Sequence, residues 1–232
     1  MKCMKRVVEP ELLDELSPAD TDAIGSRRDL RRLNRLMQHA ALLQRALASK
    51  VKTAPRRIVE LGAGDGTIML KLAEQMYREW PDVHVTLVDR QRVVAKKTMA
   101  RFQEFGWTAR AVVADVFQWL PKADEADVII ANLFLHHFPS EKVATLFKYI
   151  AARTELFVAT ETRRDWTSLV MTRAVGLIGC NAVTRYDAVR SAQGGFARKE
   201  LSALWPAEAG WKLSERRAKI FTHLFVAQWL KP

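Results

Sequence analysis

The spacing of apolar residues changes period several times along the chain, and each change predicts an element. Over 27–48, Leu30, Leu33, Met37, Ala40, Ala41 and Leu47 recur mostly at steps of three and four, which predicts one amphipathic helix with a single apolar stripe. Arg28, Arg32 and Arg35 fall on the opposite face, and Asn34 falls inside the stripe. A polar group on a buried face needs a partner, so Asn34 either caps backbone groups or faces a ligand. Residues 1–26 read as an irregular leader with short helical turns.

From 56 onward the pattern alternates regularly. RRIVEL (56–61), VHVTLVD (83–89), ARAVVAD (109–115), DVIIAN (127–132) and TELFVAT (154–160) read as strands. Helical patterns lie between them at 67–80, 91–105 and 139–152, the first stopped by Pro81. Near-continuous apolar strands alternating with helices predict an α/β fold: a Rossmann-like, doubly wound, mostly parallel sheet covered on both faces. After Thr160 the alternation pauses for longer than an ordinary connection. The pause holds a predicted helix at 166–178 and then NAVTRYDAVRSAQGGF. A helix at 199–204 and strands at 211–215 and 221–230 close the chain. With no long helix between them, the last two strands should pair as an antiparallel hairpin. The expected layout is an N-terminal helical extension or lid over 1–50 and a ligand-binding domain over 51–232. Within that domain a capping insertion follows the fifth strand at 161–196.

Composition narrows the class. The chain has 232 residues, 49% of them hydrophobic, enough for a sizeable core and against wholesale disorder. Two cysteines, Cys3 and Cys180, argue against a disulfide framework and fit a reducing cytoplasm. No run approaches the roughly 20 apolar residues of a membrane span; LVMTRAVGLIGC (169–180) is short and carries Arg173. MKCMKRVVEP is basic but lacks the apolar core of a secretory signal. A cytoplasmic monomer or homodimer is expected. The net charge of +11 attracts nucleic acid, anionic membrane or acidic ligands. There is no lysine-rich tail and no basic–aromatic alternation, so solvated arginine faces are the favoured reading and a nucleic-acid partner the less favoured one.

The first strand–helix junction reads VELGAGDGT (59–67). Gly62, Gly64 and Gly66 let the backbone turn tightly and approach a ligand closely. A dinucleotide fold wants G-x-G-x-x-G, and Thr67 stands where the third glycine would be. Glu60, at the end of the strand, would repel a pyrophosphate but could pair with a cation. Asp89 ends the second strand, where a carboxylate can accept ribose hydroxyls, and Asp115 ends the third. A lone aspartate at a strand end is more often a cap, but three acids at successive strand ends line one sheet edge.

A strand ending E-x-G-x-G-x-G resembles the motif of class I S-adenosylmethionine (SAM) dependent methyltransferases. The resemblance covers about 56–160. It implies a cofactor site of Glu60, Gly62, Ala63 and Gly64 at the turn, Asp89 on the ribose and Asp115 on the adenine amino group. Arg90 and Val116 would cover the adenosine, and Asn132 would complete the set.

Two outer segments are similar to those of small bacterial methyltransferases associated with type III polyketide synthases: the leader ELLDELSPADTDAIGSRRDLRRLNRLM and the run NAVTRYDAVRSAQGGF. That resemblance implies a small aromatic or polyketide-like substrate, with O-methylation of a phenol favoured over C-methylation. Asn34, Arg185 and Asp187 are then substrate-side candidates. Tyr186 stands where the family pattern has histidine, which puts its role in question.

The chemistry needs a base, because a free phenol has a pKa near 10. ANLFLHHF (131–138) supplies His136 and His137 after the fourth strand; histidine suits the role, and the pair are either base or structure, with Tyr186 and Asp187 the rivals. The N-P-P-Y pattern of amino-group methylation is absent after Asn132. No metal is expected, because the other histidines are scattered singly. The competing readings are an rRNA or tRNA methyltransferase, a non-catalytic partner protein with the same fold and, more distantly, an NAD-dependent oxidoreductase.

Overall fold

Strands apolar on both sides can only be satisfied inside a sheet covered twice, and that is what the chain builds. The structure, a computed structural model, describes residues 4–230; Cys3 lies outside them. In chain order the elements are α1 (Leu12–Glu15), α2 (Thr21–Met37), α3 (His39–Ala48), β1 (Arg57–Leu61), α4 (Thr67–Met76), β2 (His84–Asp89), α5 (Lys96–Glu104), β3 (Thr108–Val113), α6 (Val116–Trp119), β4 (Val128–Asn132), α7 (Ser140–Ala151), β5 (Leu156–Thr162), α8 (Trp166–Ala174), α9 (Ala182–Gly194), α10 (Glu200–Leu204), β6 (Trp211–Arg217) and β7 (Thr222–Trp229). The seven strands lie in the order β3-β2-β1-β4-β5-β7-β6. The first five are parallel, and β7 is antiparallel to both β5 and β6.

One apolar layer packs α3, α4 and α5 on one face, around Leu43, Leu72, Phe102 and Trp107. The other packs α7 and α10, around Phe147, Phe157, Trp205 and Phe225, whose rings pack in a contiguous group. Burial of these side chains stabilises the sheet by about 25 cal/mol per Å² of apolar surface removed from water. Among the described residues no helix is long and apolar enough to cross a membrane.

Two elements differ from the sequence reading. The helix expected over 27–48 breaks at Gln38, which is left-handed at φ 57°. The break turns α3 onto the sheet and buries His39 completely. Its imidazole bonds Asn34 Oδ1 at 3.0 Å and Thr222 Oγ1 at 3.1 Å, and burial lowers its pKa to about 4. The run 181–196, given no element from sequence, forms α9. It packs between α8, α2 and α1, so its buried residues, among them Thr184 and Asp187, follow no single helical stripe.

The leader does not stand apart from this insertion. Val7 N donates to Gln193 O at 3.2 Å, and the Arg6 guanidinium donates to Gly194 O at 2.7 Å. Leu12 N and Leu13 N donate to the Asp187 carboxylate at 2.8 and 3.1 Å. Leader and α9 therefore form one cap over the C-terminal edge of the sheet.

Candidate active site

Three successive glycines build the turn after β1. Gly62, Gly64 and Gly66 all have positive φ, at 68°, 53° and 74°, a region costly for residues with a Cβ. Each has a different neighbour. A Cβ on Gly62 would lie 2.2 Å from the Phe134 ring and one on Gly66 2.9 Å from Leu87, whereas one on Gly64 would meet open space. Gly64 is thus where the backbone lies open to an approaching ligand.

The acids surround this turn. Asp89 accepts from Gly64 N and Gln91 N, both at 2.8 Å, so it holds the turn in shape as well as facing the edge. Glu60 is buried, and its Oε2 has no hydrogen-bond partner. Burial, then the charges of Asp65 and Asp89, raise its pKa well above the usual carboxylate range. An unpaired buried carboxyl costs free energy, which a donor or cation at the turn would recover. Asp115 lies just beyond β3 and caps α6 by accepting from Phe117 N at 2.7 Å. Val116 is buried in α6. Arg90 reaches back to the leader, 3.6 Å from Asp14. Asn132 accepts from Thr160 Oγ1 at 2.8 Å and its amide reaches Asn34 Oδ1 at 3.5 Å.

The loop 133–138 carries the histidines. Leu133 is left-handed at φ 51°, a strained position of the kind that gathers at functional sites. Glu161, fully buried at the end of β5, accepts from Phe134 N at 2.9 Å and Leu135 N at 2.7 Å. Its other oxygen accepts from His136 Nδ1 at 2.7 Å. His136 Nε2 faces Glu11 Oε1 of the leader at 3.3 Å. His137 stacks on His136 and reaches Asp14 at 3.3 Å.

Residues 58–155 match the family described as a methyltransferase domain. Over that stretch the chain is similar to a methyltransferase domain. Trans-aconitate 2-methyltransferase of Rhodococcus jostii (strain RHA1) is 32% identical over 89 residues, which span 38% of this chain and 31% of that enzyme. Among solved structures, the plantazolicin methyltransferase BpumL in complex with SAH superposes with a TM-score of 0.64 at 13% identity, over 90% of this chain and 91% of that one. An O-methyltransferase family protein from Burkholderia thailandensis superposes at 0.62 and 16% identity, over 90% and 59%. At such identities these likenesses establish the fold.

Beside Leu133, the cap and the sheet edge enclose a cavity of about 410 Å³. Its lining is mostly aliphatic, with Leu30, Leu33, Met37, Leu133 and Val175 among it, and the acids Glu11 and Asp187 face it. Burial, then the nearby Glu11 and Asp14 charges, outweigh the bonds from Leu12 and Leu13 and raise Asp187 to about 6.

Several candidates from the sequence fall in other surroundings than expected. His136 is not poised as a base: burial opposes its charge, but Glu161 and Glu11 outweigh it and raise the pKa to about 10. At neutral pH the ring is a cation with no free lone pair. Tyr186 is 42% exposed, its hydroxyl bonds Arg190 at 3.1 Å, and it does not line the cavity. Asn34 and Arg185 do not line it either; Asn34 is committed to His39 and Asn132. Glu11, His136 and His137 do bring ligand atoms within 4.8 Å of one another, but a metal there would have to displace the proton that Glu161 and Glu11 hold on His136. Glu11 and Glu161 were missed from sequence. An acid ending the apolar run LFVATE was the one available signal.

Proposed function

We propose that the chain transfers the methyl group of SAM to an apolar small molecule, on a phenolic hydroxyl. The carrying observation is the aliphatic cavity that opens one residue away from the loop packed on Gly62, with Asp187 facing into it. The residues at the turn fit SAM: Glu60 has a buried oxygen without a partner, the Gly64 backbone is open, and Asp89 at the end of β2 would meet the ribose. Bound there, SAM supplies an electrophilic methyl group on a sulfonium. A polycarboxylate such as trans-aconitate fits poorly, because the lining offers Glu11 and Asp187 against one cation, Lys219. A polyketide-like aromatic suits it better.

In this reading the aliphatic walls exclude water and orient the ring, and Asp187 accepts the phenolic proton. Its pKa near 6 lies closer to neutral pH than an ordinary carboxylate's, which favours general-base catalysis. Asp187→Asn should lower kcat by about 10²–10⁴-fold while leaving the KM for SAM unchanged. Wild-type activity should fall as the pH drops through about 6, because Asp187 then becomes protonated, and the variant should lack that limb. The assay is transfer of labelled methyl from SAM to a panel of phenols and quinols, with bulk RNA as comparison. Near-normal turnover by Asp187→Asn would remove it from the mechanism. Transfer to RNA alone would replace the small-molecule reading.

A further inference from the structure

The cavity is open at one end, and its rim is apolar where it meets water. Leu36, Met171, Ile178 and Ile220 all line it, yet they are 68%, 46%, 40% and 56% exposed. They come from the last turn of α2, from α8, from the short 3-10 turn after α8 and from the β6–β7 connection. Leu177, which precedes Ile178 in the 3-10 turn, and Trp166, at the start of α8, are 89% and 65% exposed. Exposed apolar residues grouped in this way mark an interaction surface.

Charge at the rim points to the partner. Arg32 and Arg35 are exposed on α2 next to Leu36, and Arg32 donates to Ile178 O at 2.6 Å, which places it at the edge. Lys219 lines the cavity beside Ile220. Asp29 is buried and paired with Arg32, and the sequence from 166 to 180 contains no acid. A ring of aliphatic and aromatic tips set among cations suits an anionic lipid bilayer, where apolar insertion and attraction to headgroups add.

We propose that this rim seats on an anionic bilayer surface and that the cavity draws from it a lipid-like acceptor with an aliphatic chain. The cavity is continuous with the rim, so such an acceptor could reach Asp187 without crossing water. The contact is peripheral, since no described helix spans a membrane. The acceptor part rests on the methyl-transfer reading, whereas the bilayer part stands on the rim alone.

The test is co-sedimentation of the full chain with phosphatidylcholine vesicles, with and without phosphatidylglycerol. Binding should require the anionic lipid and weaken with salt. Leu177→Glu and Trp166→Glu, both outside the cavity lining, should each lower partitioning about tenfold while leaving S-adenosylhomocysteine (SAH) binding and turnover of a short, water-soluble phenol unchanged. Turnover of a long-chain phenol presented in vesicles should fall with partitioning. No partitioning into anionic vesicles, or partitioning that both variants retain, would overturn the proposal. A dimer in sedimentation velocity that Leu177→Glu dissociates, with no vesicle binding, would assign the rim to a second copy instead. Vesicle binding without methyl transfer to any phenol would preserve the bilayer proposal and remove the methyl-transfer reading.

Discussion

Replacing His136 with alanine is expected to destabilise the fold by about 3–5 kcal/mol, the usual result of stripping one partner from a buried ion pair. Glu161 is fully buried, and His136 is the cation bonded to it, with Arg6 acting on it from farther off. The same carboxylate holds the backbone of Phe134 and Leu135, so its charge organises the loop that covers Gly62. Removing the imidazole leaves that charge buried without its bonded cation, and it also releases Glu11 of the leader. His137→Ala, on a more exposed ring facing the half-exposed Asp14, should cost less than about 1 kcal/mol. Urea unfolding midpoints measure both. The pH dependence has a definite sign. His136 has a folded pKa of about 10 against 6.5 unfolded, so its stabilisation is complete below 6.5 and is lost as the pH rises from there through 10. The wild type should weaken across that window, and His136→Ala should lack this component. Equal midpoints for the two histidine variants would contradict the ion-pair account.

Gly62→Ala is expected to have the largest effect on cofactor binding. The new methyl would enter the Phe134 ring at 2.2 Å on a residue with φ 68°. The left-handed backbone costs about 1–2 kcal/mol and the overpacking a further 1–3 or so. Phe134 must move, and with it the loop held by Glu161. SAH affinity should drop more than about tenfold, the effect of a 1.4 kcal/mol loss. Gly64→Ala separates the causes: its Cβ meets nothing within 4 Å, so only the backbone cost falls on stability. Its effect should appear chiefly as weaker SAH binding. If Gly62→Ala binds as well as wild type, Phe134 and the turn do not shape a ligand site.

Much of this was legible in the sequence because it is local. Alternating apolar strands and helices predict the parallel sheet, and E-x-G-x-G-x-G places the turn at the first junction without reference to any distant residue. The closing hairpin followed from the missing helix between its strands. Long-range pairing was not legible. Glu11 meets His136 across 125 positions, and nothing around either marks the other. Asp187 and Tyr186 are neighbours in sequence, but one helical step of about 100° turns the first into the cavity and the second to solvent. The break at Gln38 was hidden because the apolar stripe continues through it; the left-handed residue is imposed by packing α3 onto the sheet. Asp115 shows the ambiguity of a single acid, since in the structure it caps α6.

The turn around Gly62 and Gly64, backed by Glu60 and Asp89, is expected to bind SAM for methyl transfer. Calorimetric titration of the full chain with SAH tests it most directly. Saturable binding at a single site, weakened in Gly64→Ala while the unfolding midpoint shifts by no more than about 1–2 kcal/mol, is the predicted result. No heat with either SAH or SAM from a folded protein would contradict it.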